Sequence, residues 1–315
     1  MSDQLINTKN EDTSQRGDRG SARKFGRSTA SSDDKVRSFY ELLDRMHHNG
    51  FYSEILGIKS MYMNFGYWAP GCGDHDEACE ALADELGEAA GITAGDRVLD
   101  VGFGYAEQDF HWLSTRNPKE IVGINVTPVQ VEVARKRAEE LGLADRLDLR
   151  TGSATSLPFE DGSFDRVVAL ESSVHFDTRQ KFLDEAFRVL RPGGVLATTD
   201  PLPPEVPGRK SLVARLDEWR RRRIIPADNW YSRSTYAERL TKAGFVNVEV
   251  RNITDSVFKP NAEYVRKRCS ELLSDPQFTS YKQKNAVKVH RRLTEMRATL
   301  MDYVITVAEK PGATD

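Results

Sequence analysis

Three residues stand where the chain could run acid–base chemistry. Glu171 and His175 lie four apart in "ESSVHFDTR", directly after the apolar run "FDRVVAL". Asp200 closes a later run, "GVLATTD". A histidine titrates near pH 6.5, so the neutral ring can take a proton from a hydroxyl group. An aspartate beside it would orient the ring and stabilise the imidazolium. If the two runs are neighbouring strands, His175 and Asp200 converge at one sheet edge. Otherwise His175 is a loop histidine and Asp200 caps a turn before Pro201. Glu171, at its strand end, is expected to position a cofactor or an acceptor.

A second pattern is "VLDVGFGYAEQD", Val98 to Asp109. Val98–Val101 reads as a buried strand carrying Asp100. Gly102 and Gly104 then let the backbone approach a ligand, and the following helix offers unpaired N–H groups. Ala106 occupies the place of a third glycine. Asn125 ends the next strand about 20 residues on, where an acceptor atom can hold ribose hydroxyls. "GSATSLPF" follows the third strand and brings Ser153 and Ala154 to where an adenine edge would lie.

These residues need a scaffold, and the pattern around them alternates. Strands at 97–101, 120–125, 146–150 and 164–170, and "GVLATTD", are separated by helical stretches such as "PVQVEVARKRAEELG" and "DTRQKFLDEAFRVL". Strand, helix, parallel strand is the doubly wound α/β arrangement, which binds ligands beyond the carboxyl ends of its strands. Residues 1–32 are polar and lack apolar periodicity, which predicts a disordered tail. Residues 33–92 read as an N-terminal helical cap with the aromatic loop "SMYMNFGYWAPG". The core runs over 93–200. A proline-rich segment, 201–233, reads as a lid. Residues 234–315 complete the core with a helical insertion over 256–298 and a last strand, "LMDYVITVAEK".

Composition excludes several classes. The chain has 315 residues, 39% hydrophobic and 30% charged, with a net charge of -3, so nothing draws it globally to nucleic acid. No apolar run approaches the ~20 residues of a membrane span, and no signal peptide is evident. A cytoplasmic protein without membrane insertion is expected. Cys72, Cys79 and Cys269 form no CxxC pair, and His47 and His48 point to different helix faces, so no metal site is expected.

The elements and their order resemble the class I S-adenosylmethionine-dependent methyltransferases over roughly residues 60–310. The nearer likeness is to erythromycin-pathway sugar O-methyltransferases, carried by "NFGYWAPG", "DVGFG…QDF", "GSATSLPF", "ESSVHF" and "LRPGGVLATTD". The resemblance implies a Rossmann-like, seven-stranded, mostly parallel sheet with S-adenosyl-L-methionine as cofactor. Asp100, Gly102 and Gly104 would then lie at its methionine end. Asn125, with Val126 and Gln130, takes the ribose position, and Ser153 and Ala154 the adenine edge. Tyr67 and Trp68 either face the sulfonium, a cation that aromatic rings stabilise, or anchor the N-terminal helices. His175 and Asp200 match a base histidine and an aspartate of similar enzymes.

The implied reaction is O-methylation of a hydroxylated natural product, with His175 as general base. Arg220–Arg223 opens an alternative, because four arginines could clamp the diphosphate of a prenyl acceptor for C-methylation. Phe39, Tyr40, Phe51, Tyr52 and Trp230 could then line the prenyl pocket, or be core. The run is equally readable as a solvated helix face. A non-catalytic cofactor-binding scaffold is the third reading. The lid and N-terminal arm leave a homo-oligomer open.

Overall fold

The computed structural model describes residues 57–206, 208 and 211–312, together with 34, 37, 38 and 41. The tail predicted over 1–32 and nearly all of the helix predicted from Asp33 lie outside the described residues. So do His47, His48, Phe39, Tyr40, Phe51 and Tyr52.

Seven strands form one sheet. They are β1 (Arg97–Val101), β2 (Glu120–Asn125), β3 (Leu147–Thr151), β4 (Phe164–Leu170), β5 (Leu190–Leu202), β6 (Val246–Asn252) and β7 (Asp302–Glu309). Their order is β3-β2-β1-β4-β5-β7-β6. The first five pair with one another in parallel, and β7 runs antiparallel to both β5 and β6. The doubly wound α/β fold expected from the sequence is therefore present. β1 sits between β2 and β4, with Leu99 opposite Val122 on one side and Val167 on the other. The winding reverses there, and the cleft beyond these strand ends is where such sheets bind ligands.

Burial explains the strand sequences. β1, β2 and β4 are nearly continuous in Val, Leu and Ile because helices cover both sheet faces. Side chains alternate between two cores. Val98 and Val168 pack with Leu82, Leu86 and Trp112 on one side. Leu99 and Val167 pack with Phe182, Leu183 and Tyr236 on the other. The first side carries α1 (His75–Ala89), α2 (Glu107–Thr115) and α3 (Pro128–Glu140); the second carries α4 (Arg179–Val189) and, later in the chain, Arg233–Lys242.

Three details differ from the sequence reading. The helix expected near Tyr105 begins at Glu107, because Gly104 (φ 59°) and Ala106 (φ 63°) hold left-handed backbone that a helix cannot include. The lid segment contains a helix, α5 (Leu212–Arg221), and a short turn at Ala227–Asn229; Arg233–Lys242 is α6. The single helical insertion is two helices, α7 (Thr254–Ser274) and α8 (Tyr281–Leu300). The break falls at 275–280, where the Ser280 hydroxyl caps α8 by accepting from the Gln283 N–H. No described helix is long and apolar enough to cross a membrane.

Candidate active site

The glycine turn is shaped by what lies against it. Gly102 has φ 86°, and a Cβ there would stand 2.4 Å from the Ser172 Cβ. Only glycine lets β1 turn this close to the loop after β4. That loop is tied in place by Ser172, whose hydroxyl donates to the Val101 carbonyl at 2.6 Å. A Cβ on Gly104 would meet nothing within 4 Å and would project into open space.

That space belongs to a cavity at the carboxyl ends of β1, β2 and β4. Gly102, Gly104, Asn125, Val126, Gln130, Ala154, Glu171 and His175 all line it. The Asn125 amide N–H₂ donates to the Gly104 carbonyl at 3.1 Å and to Gln130 Oε1 at 2.9 Å. This bond joins the turn, the end of β2 and the start of α3, so the two amides are positioned before any ligand arrives. Arg37 adds a contact from the N-terminal side, donating through Nε to the Val126 carbonyl at 3.2 Å.

A second cavity adjoins the first. Tyr62, Met63, Asn64, Glu171 and His175 line both. The remaining wall of the second is mainly apolar, with Phe65, Val174, Ile224 and Phe258, and carries His75, His290, Arg221 and Arg297. Two compartments thus meet at a boundary set with one carboxyl and one imidazole.

The structure brings Glu171 and His175 together at that boundary but holds Asp200 elsewhere. Asp200 is fully buried and accepts from the Ser173 hydroxyl at 2.7 Å and the Val174 N–H at 3.1 Å. Arg179, also fully buried, lies 3.6 Å from it and is sandwiched between the Tyr231 and Tyr236 rings. The sequence expectation that Asp200 orients His175 is corrected: the Arg179 charge and the 173–175 turn claim it. The His175 ring is instead set by the lid, since its Nδ1 lies 3.2 Å from the Ile224 carbonyl. A carbonyl only accepts, so Nδ1 carries the proton and the ring's lone pair sits on Nε2.

Burial lowers His175 to about 4, and the Arg179 charge adds to the effect. The ring is therefore neutral at neutral pH. Burial raises Glu171 to about 8, against two opposing hydrogen bonds from the Phe65 N–H and the Tyr303 hydroxyl.

Other expected positions fall off the cavity walls. Asp100 lies beneath the turn, fully buried, where Gln108 donates to its Oδ2 at 2.8 Å. The Ser153 hydroxyl pairs with that of Thr155 at 3.1 Å, leaving Gly152 and Ala154 on the wall. Tyr67 packs against the core, with its N–H on the Ala78 carbonyl. Trp68 stacks on Tyr264 at 4.8 Å. Both are packing anchors; the aromatic rings on the first cavity's wall are Tyr62, Phe103, Tyr105 and Phe176. Of the two readings the sequence left open for Tyr67 and Trp68, their contacts fit the anchor, and nothing in the pattern singled out Tyr303 or Arg179.

The arginine run does not form a clamp. Arg221 pairs with Asp217 at 2.8 Å and Arg222 with Glu218 at 2.9 Å, each one helical turn back. Arg223 stacks on Trp219 at 3.8 Å. Of the four, only Arg221 lines the second cavity.

The first cavity fits a nucleoside with a charged tail: two aligned amides, an open approach over Gly104, and apolar Ile124 and Ala154 for a flat base. Comparison with known proteins agrees. Residues 99–198 match the family model of a methyltransferase domain. Erythromycin 3''-O-methyltransferase of Saccharopolyspora erythraea is 45% identical over 266 residues, 81% of this chain and 85% of that protein. The 27-O-demethylrifamycin SV methyltransferase of Amycolatopsis mediterranei is 39% identical over 138 residues, 44% of this chain and 50% of its own length. Among solved structures, the [4+2]-cyclase SpnF superposes with a TM-score of 0.68 at 25% identity, covering 90% of this chain and 97% of that one. A seven-stranded sheet with its ligand cavity over the β1 turn, joined to this level of identity across most of the chain, makes the protein a member of the S-adenosylmethionine-dependent methyltransferase family.

Proposed function

We propose that the enzyme methylates a hydroxyl oxygen of a small secondary metabolite, seated in the second cavity, with His175 as the proton acceptor. The observation that carries this reading is that His175 and Glu171 stand on the walls of both cavities. S-adenosylmethionine, when bound, supplies an electrophilic methyl group. Gly102, Gly104, Asn125 and Gln130 hold it in the first cavity. His175, protonated on Nδ1 by its bond to the lid, presents Nε2 as the base for the acceptor hydroxyl. Glu171 in its ionised form stabilises the imidazolium and positions the acceptor. The lid excludes water from the boundary, which strengthens both interactions.

The names of the relatives, methyltransferases of erythromycin and of 27-O-demethylrifamycin SV, support an oxygen acceptor on a secondary metabolite. The test is transfer of radiolabelled methyl from S-adenosylmethionine to a panel of hydroxylated macrolide glycosides. His175→Ala should lower turnover about 10²–10⁴-fold and leave affinity for S-adenosylhomocysteine nearly intact. Unchanged turnover would remove His175 from the base role.

A further inference from the structure

The second cavity carries an unbalanced charge. Arg221, from the lid helix α5, and Arg297, from α8, both line it. They share one carboxylate. Arg221 Nε donates to Asp217 Oδ2 at 2.8 Å and Arg297 Nη2 to Asp217 Oδ1 at 3.2 Å. Asp217 is buried behind them, so two guanidinium groups face one acid. Arg221 Nη1 is left 3.0 Å from the Met301 sulfur, a weak acceptor. Arg297 Nε is buried and has no hydrogen-bond partner among the described residues.

Among the described residues that line the cavity, Glu171 is the only acid. His175 and His290 are neutral, each lowered to about 4 by burial. Glu171 is pushed up to about 8 and is mostly protonated at neutral pH. Glu218 pairs with Arg222 and offsets part of the Arg221 charge, but does not line the cavity. A net positive charge beside an otherwise apolar wall is costly unless an anion meets it.

We propose that the Arg221–Arg297 side of the second cavity binds an oxyanion, a carboxylate or a phosphate, carried by the methyl acceptor. The inference rests on reading the second cavity as the acceptor site. It narrows the acceptor to a largely apolar molecule with a hydroxyl to methylate and one acidic substituent. Arg221 also donates the link to the catalytic boundary: its carbonyl accepts from the Ile224 N–H at 3.0 Å, and Ile224 in turn holds His175. Docking an anion on Arg221 thus orders the lid residue that fixes the histidine.

The test uses two fluorescent probes on the full-length protein saturated with S-adenosylhomocysteine. One is the anionic 8-anilinonaphthalene-1-sulfonate; the other is uncharged N-phenyl-1-naphthylamine. Arg297→Gln should bind the anionic probe about 10–100-fold more weakly and the neutral probe equally well. Arg297→Lys should restore most of the loss. Asp217→Asn, which removes the competing carboxylate, should tighten the anionic probe. Hexanoate and hexyl phosphate, used as competitors against the wild type, distinguish a carboxylate from a phosphate source.

Equal anionic-probe affinity in all four proteins would overturn the proposal. So would parallel loss of both probes in Arg297→Gln and Asp217→Asn, which would make Arg297 a structural latch for the lid. Failure of S-adenosylhomocysteine to bind is read separately and would count against the methyltransferase site instead.

Discussion

The Tyr303 hydroxyl donates a 2.6 Å hydrogen bond to Glu171 Oε1, and the Phe65 N–H donates a second to the same oxygen at 2.8 Å. A residue of the last strand and one of the aromatic loop thereby fix the carboxyl on the wall common to both cavities. Glu171 pays for this place with left-handed backbone, φ 51°. Strain of this kind persists only where the surroundings over-determine it, and it gathers at functional positions.

The bond from Tyr303 favours the ionised carboxylate. Tyr303→Phe should therefore raise Glu171 above its value of about 8. With ionised Glu171 supporting the imidazolium, kcat/KM in the wild type rises through this pH, and in the variant the rise moves to higher pH. An identical pH profile in the two proteins would take Glu171 out of the reaction.

The same group makes stability depend on pH. Its folded value of about 8 exceeds the roughly 4.3 of an unfolded chain, so the folded state holds the proton more tightly. That contribution is full below the unfolded value and is lost as pH rises through the folded one. Glu171→Gln keeps an acceptor oxygen but cannot ionise. Its stability in urea should exceed the wild type's at pH 8.5 by several kcal/mol, up to about 5 for the full shift, with little difference near pH 4.5.

Asp200 and Arg179 form a buried pair without solvent contact. Asp200→Ala leaves the guanidinium uncompensated and should cost about 3–5 kcal/mol in urea unfolding. Arg179→Met with Asp200→Leu should recover much of this. Recovery of stability without recovery of turnover would mark the pair as the support of the 173–175 turn that carries His175.

Asn125 donates to the turn and to Gln130 at once. Asn125→Ala should weaken S-adenosylhomocysteine binding about tenfold, the loss of roughly one hydrogen bond, as read by calorimetry. Equal affinity would refute its place in the cofactor site.

Much of this was legible in the sequence. Parallel strands buried on both faces write themselves as apolar runs, and the turn after β1 needs glycine where Ser172 approaches. Glu171 and His175 were visible because they follow a strand end at the ligand-binding edge. The partners were not. Asp200 lies near the end of the adjacent strand, which runs two residues further than expected, to Leu202, and a buried arginine at the first position of α4 competes for it. No local pattern announces that Arg179 will fold inward rather than stay on the helix surface. Tyr303 lies 132 positions from Glu171, and its contact depends on β7 returning antiparallel beside β5. The lid carbonyl of Ile224 has no side-chain signature at all. The aromatic loop left two readings open because the ends of "MYMNFGYW" are chemically alike, and only tertiary packing sends Tyr62 to the cavities and Trp68 to Tyr264.

The most direct test of the site is isothermal titration of S-adenosylhomocysteine into the wild type and into Gly104→Val, with NAD as the control ligand. Any side chain at Gly104 enters the open space of the first cavity. The wild type should bind the homocysteine nucleoside in the micromolar range and ignore NAD, and Gly104→Val, folded by circular dichroism, should lose that binding. Equal affinity in the two proteins, or a wild type that takes NAD instead, would contradict the seating of the methyl donor over this turn.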